Sequence, residues 1–124
     1  MNNLLAIAGA GAIGAVLRYL VASGVYEILG REFPYGTLIV NLIGSFLIGY
    51  LFVWFLDRSV ASEAWRLAVL VGLLGSFTTF SSFSLETYNL VITGYYGRAA
   101  ANIIFSVSLC LLGTWIGISL ARHV

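Results

Sequence analysis

Residues 72–88 read GLLGSFTTFSSFSLETY, and this run holds most of the side chains capable of chemistry. Ser76, Thr78, Thr79, Ser81, Ser82, Ser84 and Thr87 supply hydroxyls, and Glu86 supplies a carboxylate. Gly72 and Gly75 precede them, and the flanking sequence is lipid-like. In a bilayer, each backbone group freed by a helix break costs several kcal/mol unless protein or water satisfies it. A polar, glycine-flanked interruption therefore predicts a broken helix facing a partner, an ion or a water-filled path. Half-helices that meet in mid-membrane present carbonyls on one side and N–H groups on the other. The carbonyls around Gly75 to Thr78 are thus candidates to hold a cation. Ser76, Thr78 or Thr79 is a candidate cap for the second half-helix. Phe80 and Phe83 share one helix face. Aromatic rims are positive, so such a pair can touch a small anion, although packing is the commoner use of two rings.

Polar residues on two other stretches extend this set. Thr37 and Asn41 stand one turn apart, with Gly44 and Ser45 one turn further. Asn41 is an amide in a charge-free apolar stretch, and such groups are functional hypotheses by default. Two readings stay open for it: a helix-bridging hydrogen bond, or a donor lining a path, since the side chain carries two N–H groups. Asn102 and Ser106 are also one turn apart, while Ser108 points elsewhere. Polar residues on three stretches predict a path rather than one isolated contact.

The elements that must position these groups are membrane helices. The chain of 124 residues is 60% hydrophobic and 9% charged, against roughly 25% charged in soluble domains. It has no Lys; its cations are Arg18, Arg31, Arg58, Arg66, Arg98 and Arg122. A helix needs about 20 apolar residues to cross a bilayer. That length divides the chain into one four-helix membrane domain, with spans at about 4–29, 35–56, 65–92 and 99–121. The third span holds the break. Pro34 suits the first turn of the second helix. The loops fall at Gly30 to Pro34, Asp57 to Ala64 and Thr93 to Arg98. The start of the chain lacks the basic residue and the small-residue cleavage site of a removable signal peptide.

Small residues at i,i+4 mark candidate helix contacts: Ala6, Ala10 and Gly14; Ser45 and Gly49; Gly113 and Gly117. Orientation is weakly specified. Both ends and the second loop carry Arg58, Arg66 and Arg122, against Arg31 and Arg98 on the other side. So small an Arg bias is compatible with insertion in both directions and an antiparallel homodimer. Such a pair would do with two identical chains what larger transporters do with inverted repeats.

Several classes drop out. The net charge is +1 with no basic patch for phosphates, so nucleic acid is not an expected partner. Cys110 is the only cysteine and His123 lies next to the C-terminal residue. No disulfide, thiolate metal site or catalytic set is therefore expected within one chain, and no enzyme is proposed.

The motifs Gly14-Ala15-Val16-Leu17-Arg18-Tyr19, Pro34-Tyr35-Gly36-Thr37, Val40-Asn41-Leu42-Ile43-Gly44-Ser45-Phe46 and Gly72 to Glu86 stand together in four spans. In these, over essentially its whole length, the chain resembles the Fluc (CrcB) family of fluoride channels. The resemblance implies an all-α integral membrane fold with a broken third helix and an antiparallel, dual-topology homodimer with two fluoride pores. It implies a structural sodium ion at the dimer centre, held by the carbonyls of Gly75 and Thr78 from both chains. Phe80 and Phe83 match pore-lining rings, and Asn41 matches the pore-side amide. Thr37, Ser81, Ser82, Ser84 and Glu86 match polar positions near the path, to which Asn102, Ser106 and Ser108 are added here. Arg18 matches a vestibule-side basic residue; a snorkelling side chain is its simpler reading. Two positions depart from the pattern: Ser82 where Thr is usual, and Asn102 where Tyr is common. The implied role is passive export of fluoride across the plasma membrane of a prokaryote (the inner membrane of a Gram-negative one).

The physics suits these residues. Fluoride is small and strongly hydrated, so a selective pore must replace its water with close donors yet bind weakly enough to release it. The alternative is a proton-coupled efflux transporter of the small multidrug type, which needs a titratable acid central in a helix. Only Glu86 qualifies, and the Phe–Ser stretch beside it has no role there. A structural membrane subunit would explain the small-residue stripes but not the hydroxyl-rich break.

Overall fold

A computed structural model of the chain describes residues 2–58 and 61–124. The expected second loop, Asp57 to Ala64, lies partly outside the described residues. Helix α1 spans Asn2–Leu29 and α2 spans Tyr35–Arg58. The third span is composite: α3 (Glu63–Leu67), a π-helical segment (Ala68–Leu74), the single turn α4 (Gly75–Phe77) and α5 (Phe80–Ile92). Helix α6 spans Tyr96–His123. Among the described residues, four helical spans are long and apolar enough to cross a membrane. The protein is thus all-helical and reads as multi-pass.

Local sequence explains the ends. Gly30 and Gly94 have φ of +86° and +87°, the left-handed conformation that glycine adopts after a helix without steric cost. The N–H of Gly30 donates to Tyr26 O at 2.9 Å, and that of Tyr95 to Leu90 O at 2.8 Å. The carbonyl of Pro34 accepts from Leu38 N at 3.1 Å and opens α2. Ser62 caps α3 by accepting from Trp65 N at 3.3 Å.

Two seams hold the spans. Gly49, Gly113 and Gly117 lie between α2 and α6, where a Cβ on Gly117 would run into Phe46 O and one on Gly49 into Thr114 O. Thr114 Oγ1 also donates to Ser45 O at 3.0 Å. The second seam packs α1 on the π-helical segment. A Cβ on Gly14 would overlap Leu73 O, and one on Gly72 would come within 2.7 Å of Ile7 O. Small residues at these places let backbones touch where no hydrophobic effect separates protein from lipid. The buried core is small: Val40, Val53, Phe55, Ala68, Leu74, Phe77 and Ala99. Thr37, Thr79, Asn102 and Ser106 are buried with it. Large apolar side chains such as Leu4 and Leu111 point outward, as lipid-facing positions do.

Candidate functional site

The site is built around two extended residues. Thr78 has φ −87° and ψ 158°, and Thr79 has φ −151° and ψ 115°. Helical geometry stops at Phe77 and resumes at Phe80. The Thr78 side chain turns back, donating from Oγ1 to Leu74 O at 3.0 Å, beside its own N–H donating there at 3.1 Å. Gly44 on α2 makes this possible, since a Cβ there would overlap the Thr78 methyl.

Asn41 grips the backbone at this point from α2. Its Nδ2 donates to Thr79 O at 2.9 Å, and its Oδ1 accepts from Thr79 N at 2.7 Å. One of the two amide N–H groups is used in this way. Thr79 is the cap of α5: its Oγ1 accepts from Ser82 N at 3.2 Å and donates to Ser82 Oγ at 3.1 Å. Ser81 Oγ lies 3.2 Å from the same hydroxyl.

These contacts divert two donors. In a continuous helix Thr79 N–H would serve Gly75 O, and Ser82 N–H would serve Thr78 O. Here the first goes to Asn41 and the second to the Thr79 side chain. The carbonyls of Gly75 and Thr78 thereby lose their helical donors, and Gly75 is exposed. Backbone oxygens of this kind suit a hard cation. Among the described residues there is no cluster of His, Cys, Asp or Glu that would hold a metal instead.

The rings follow directly. Phe80 and Phe83 have centroids 5.3 Å apart at 48°, within the range that aromatic pairs prefer. Phe80 is 76% exposed; Phe83 is half-buried. Ser81 and Ser84 are exposed beside them. One turn on, Glu86 Oε1 accepts from Thr37 Oγ1 at 2.7 Å and its Oε2 is buried, with the Tyr26 side chain facing the same carboxylate.

Helix α6 joins through a relay. Ser106 Oγ donates to Asn102 Oδ1 at 3.2 Å, Asn102 Nδ2 to Thr87 Oγ1 at 2.8 Å, and Thr87 Oγ1 to Phe83 O at 2.7 Å. Asn102 is almost completely buried. Ser108 is exposed, about 200° round the helix from Ser106.

A cavity of about 340 Å³ connects the α1 and α5 sides of this set. Arg18, Thr37, Thr79, Ser82 and Glu86 line it, with Tyr26 and Arg31. A second, of about 270 Å³, collects Asn41, Gly44, Ser45, Thr78, Thr79, Phe80 and Cys110. The structure thus gathers Arg18, Thr37, Ser82 and Glu86 at one cavity and Asn41, Thr78 and Phe80 at another, with Thr79 on both. It leaves Ser84 and Ser108 on exposed faces. Tyr26, Arg31 and Thr87 belong to the same neighbourhood. Gly36 was the available signal for Tyr26, since a glycine in the first turn of α2 admits a ring from α1.

Fold and site together define, among the described residues, a helical protein with four spans apolar enough to cross a membrane, the third carrying a run of hydroxyls and a ring pair. The chain belongs to the CrcB-like family: the family described as "CrcB-like protein, Camphor Resistance (CrcB)" matches residues 5–118. It is similar to the protein named fluoride-specific ion channel FluC of Geobacter sulfurreducens, 51% identical over 124 residues and covering all of both chains. The FluC of Coxiella burnetii (strain Dugway 5J108-111) is 48% identical over 125 residues, again across both whole chains. That of Magnetococcus marinus is 52% identical over 118 residues, 95% of this chain and 96% of the relative. The relatives are named as channels, not as enzymes.

Proposed function

We propose that the chain forms a fluoride channel that conducts passively and exports fluoride from the cytoplasm of a prokaryote. The carrying observation is the tilted Phe80–Phe83 pair beside the hydroxyls of Thr79, Ser81 and Ser82, in a chain half identical to proteins named fluoride-specific channels. Ring edges, hydroxyls and an amide replace water around a small anion without a charge strong enough to trap it. Arg18 lines the same cavity as Thr37, Ser82 and Glu86, where a cation attracts anions.

The functional unit is an antiparallel homodimer with two pores. No residue of α5 is buried, and hydroxyls facing lipid would be costly. A second copy across the exposed face of Phe80, Ser81 and Ser84 removes that cost. The Gly75 and Thr78 carbonyls, with their helical donors diverted, are the oxygens that would hold a sodium ion between the two chains. When bound, sodium would balance the dipoles of these carbonyls and tie the subunits.

The test is fluoride efflux from liposomes holding the purified protein, with chloride as control. Fast fluoride release with chloride retained is expected; comparable fluxes overturn the assignment. Repeating it with a large organic cation in place of sodium tests the central ion. Weaker dimers or lost conduction are expected, and unchanged behaviour removes the ion from the proposal.

A further inference from the structure

Beyond the cavity of Arg18 and Ser82, a larger one of about 500 Å³ opens at the end of the bundle where α1 and α5 finish and α2 and α6 begin. Glu32, Asn89, Thr93 and Arg98 mark its outer walls. Tyr26, Arg31 and Glu86 line both cavities. Of these, Glu86 is tethered to Thr37, and Arg31 stands in the exposed loop after α1. The side chain with both the bulk and the placement to divide the two spaces is therefore Tyr26.

The position of its ring is set by two contacts. Gly36 is buried under it: a Cβ there would overlap Tyr26 Cε2, lie 2.8 Å from Cζ, and come within 2.9 Å of Ala22 O. The Arg31 guanidinium carbon lies over the ring, 4.7 Å from its centroid, close enough for a cation–π attraction. A ring seated on a backbone and covered by a guanidinium has little freedom to swing. The neighbouring wall repeats the device, with Arg98 4.4 Å from the Tyr95 ring.

We propose that the Tyr26 ring is the partition between the outer and inner cavities, and that its bulk sets how freely small solutes cross. This rests on reading the inner cavity as part of the fluoride path. Tyr26 is then a positioning and size-limiting residue for the anion, held by Gly36 and Arg31. Its hydroxyl is not needed for the role.

The experiment uses Ser23, which lines the inner cavity and not the outer one. Full-length protein carrying Ser23→Cys and Cys110→Ser is reconstituted in vesicles. It is treated with a small, charged, membrane-impermeant methanethiosulfonate. The rate of modification of the introduced thiol is compared among residues at position 26. Tyr26→Ala is expected to raise the rate about tenfold, Tyr26→Phe to leave it within about twofold, and Tyr26→Trp to slow it, as constriction by ring size requires. Arg31→Gln is expected to give a smaller rise by releasing the ring. Equal rates for Tyr26→Ala and the parent overturn the proposal; so does a Tyr26→Phe rate as high as that of Tyr26→Ala. Should Tyr26→Ala fail to fold, a Tyr26→Trp rate equal to the parent's is the overturning result. Fluoride efflux from the untreated vesicles is read separately. Its absence in the native protein would remove the proposed function but leave the partition to be judged by the modification rates.

Discussion

Between α2 and α6, Gly49, Gly113 and Gly117 bring backbones into contact. Helix α5 is held in another way. None of its residues is buried, yet it is tied at three levels by hydrogen bonds. Asn41 grips the Thr79 backbone just before it, Thr37 reaches Glu86, and Asn102 reaches Thr87. In lipid, the first kind of contact maximises van der Waals packing and the second satisfies polar groups that would otherwise be stranded. The difference teaches where function is located. A seam of glycines leaves no room for a ligand, whereas a helix held by tethers can keep its remaining face for an ion or a second copy.

The largest expected effect breaks the packed side. Gly117→Val puts a branched side chain against Phe46 O and Tyr50 N. Overpacking with backbone on the other side should cost about 3 kcal/mol. The expected outcome is a large loss of monodisperse protein on gel filtration, with residual flux proportional to the protein that survives. A well-folded Gly117→Val protein would show that this seam is looser than the close approach implies.

A second test leaves the packed side alone. Phe80→Ile and Phe83→Ile keep apolar bulk and remove the positive rim. Because apolar bulk is kept in both, stability should change little. Fluoride flux should fall at least about tenfold, equivalent to about 1.4 kcal/mol on the barrier. Flux and stability are measured on the same preparation, because the contrast with Gly117→Val lies in their separation. Wild-type flux in both variants would make the ring pair ordinary packing and erase the distinction between the two regions.

The four spans were legible because hydrophobic runs of bilayer length, punctuated by Gly30, Pro34 and Gly94, have few other readings. The polar run 72–88 stood out for the same reason, as a violation of that pattern. The π-helical segment was not legible: Ala68 to Leu74 reads as any buried helix, and nothing local in those residues marks its wider winding. Which of Ser76, Thr78 and Thr79 caps α5 was also open, since all three hydroxyls have the right chemistry. Asn41 decides between them by fixing Thr79 through its backbone, a contact 38 residues away in sequence. Tyr26 was not legible either, because a tyrosine near a span end reads as an interfacial aromatic. Long-range pairing of this kind has no periodicity to reveal it.

The smallest expected effect concerns Ser82, on the tethered side. Its hydroxyl accepts from Thr79 Oγ1 while its N–H is capped by the same atom. Ser82→Thr keeps that acceptor and adds one methyl, and Ser82 borders the cavity of about 340 Å³, which has room for it. The added branch at Cβ lowers helix propensity slightly. Stability should therefore move by less than about 0.5 kcal/mol, and fluoride flux should stay within about twofold, since a twofold change corresponds to only ~0.4 kcal/mol on the barrier. Ser82→Ala is the sharper partner, because it removes the acceptor and leaves Thr79 Oγ1 to find another. If the hydroxyl at position 82 matters and its methyl does not, the alanine variant loses flux and the threonine variant keeps it. Equal loss in both would mean that the space beside Ser82, rather than its hydroxyl, is what the path requires. The tethered side would then depend on close packing as much as the glycine seam does.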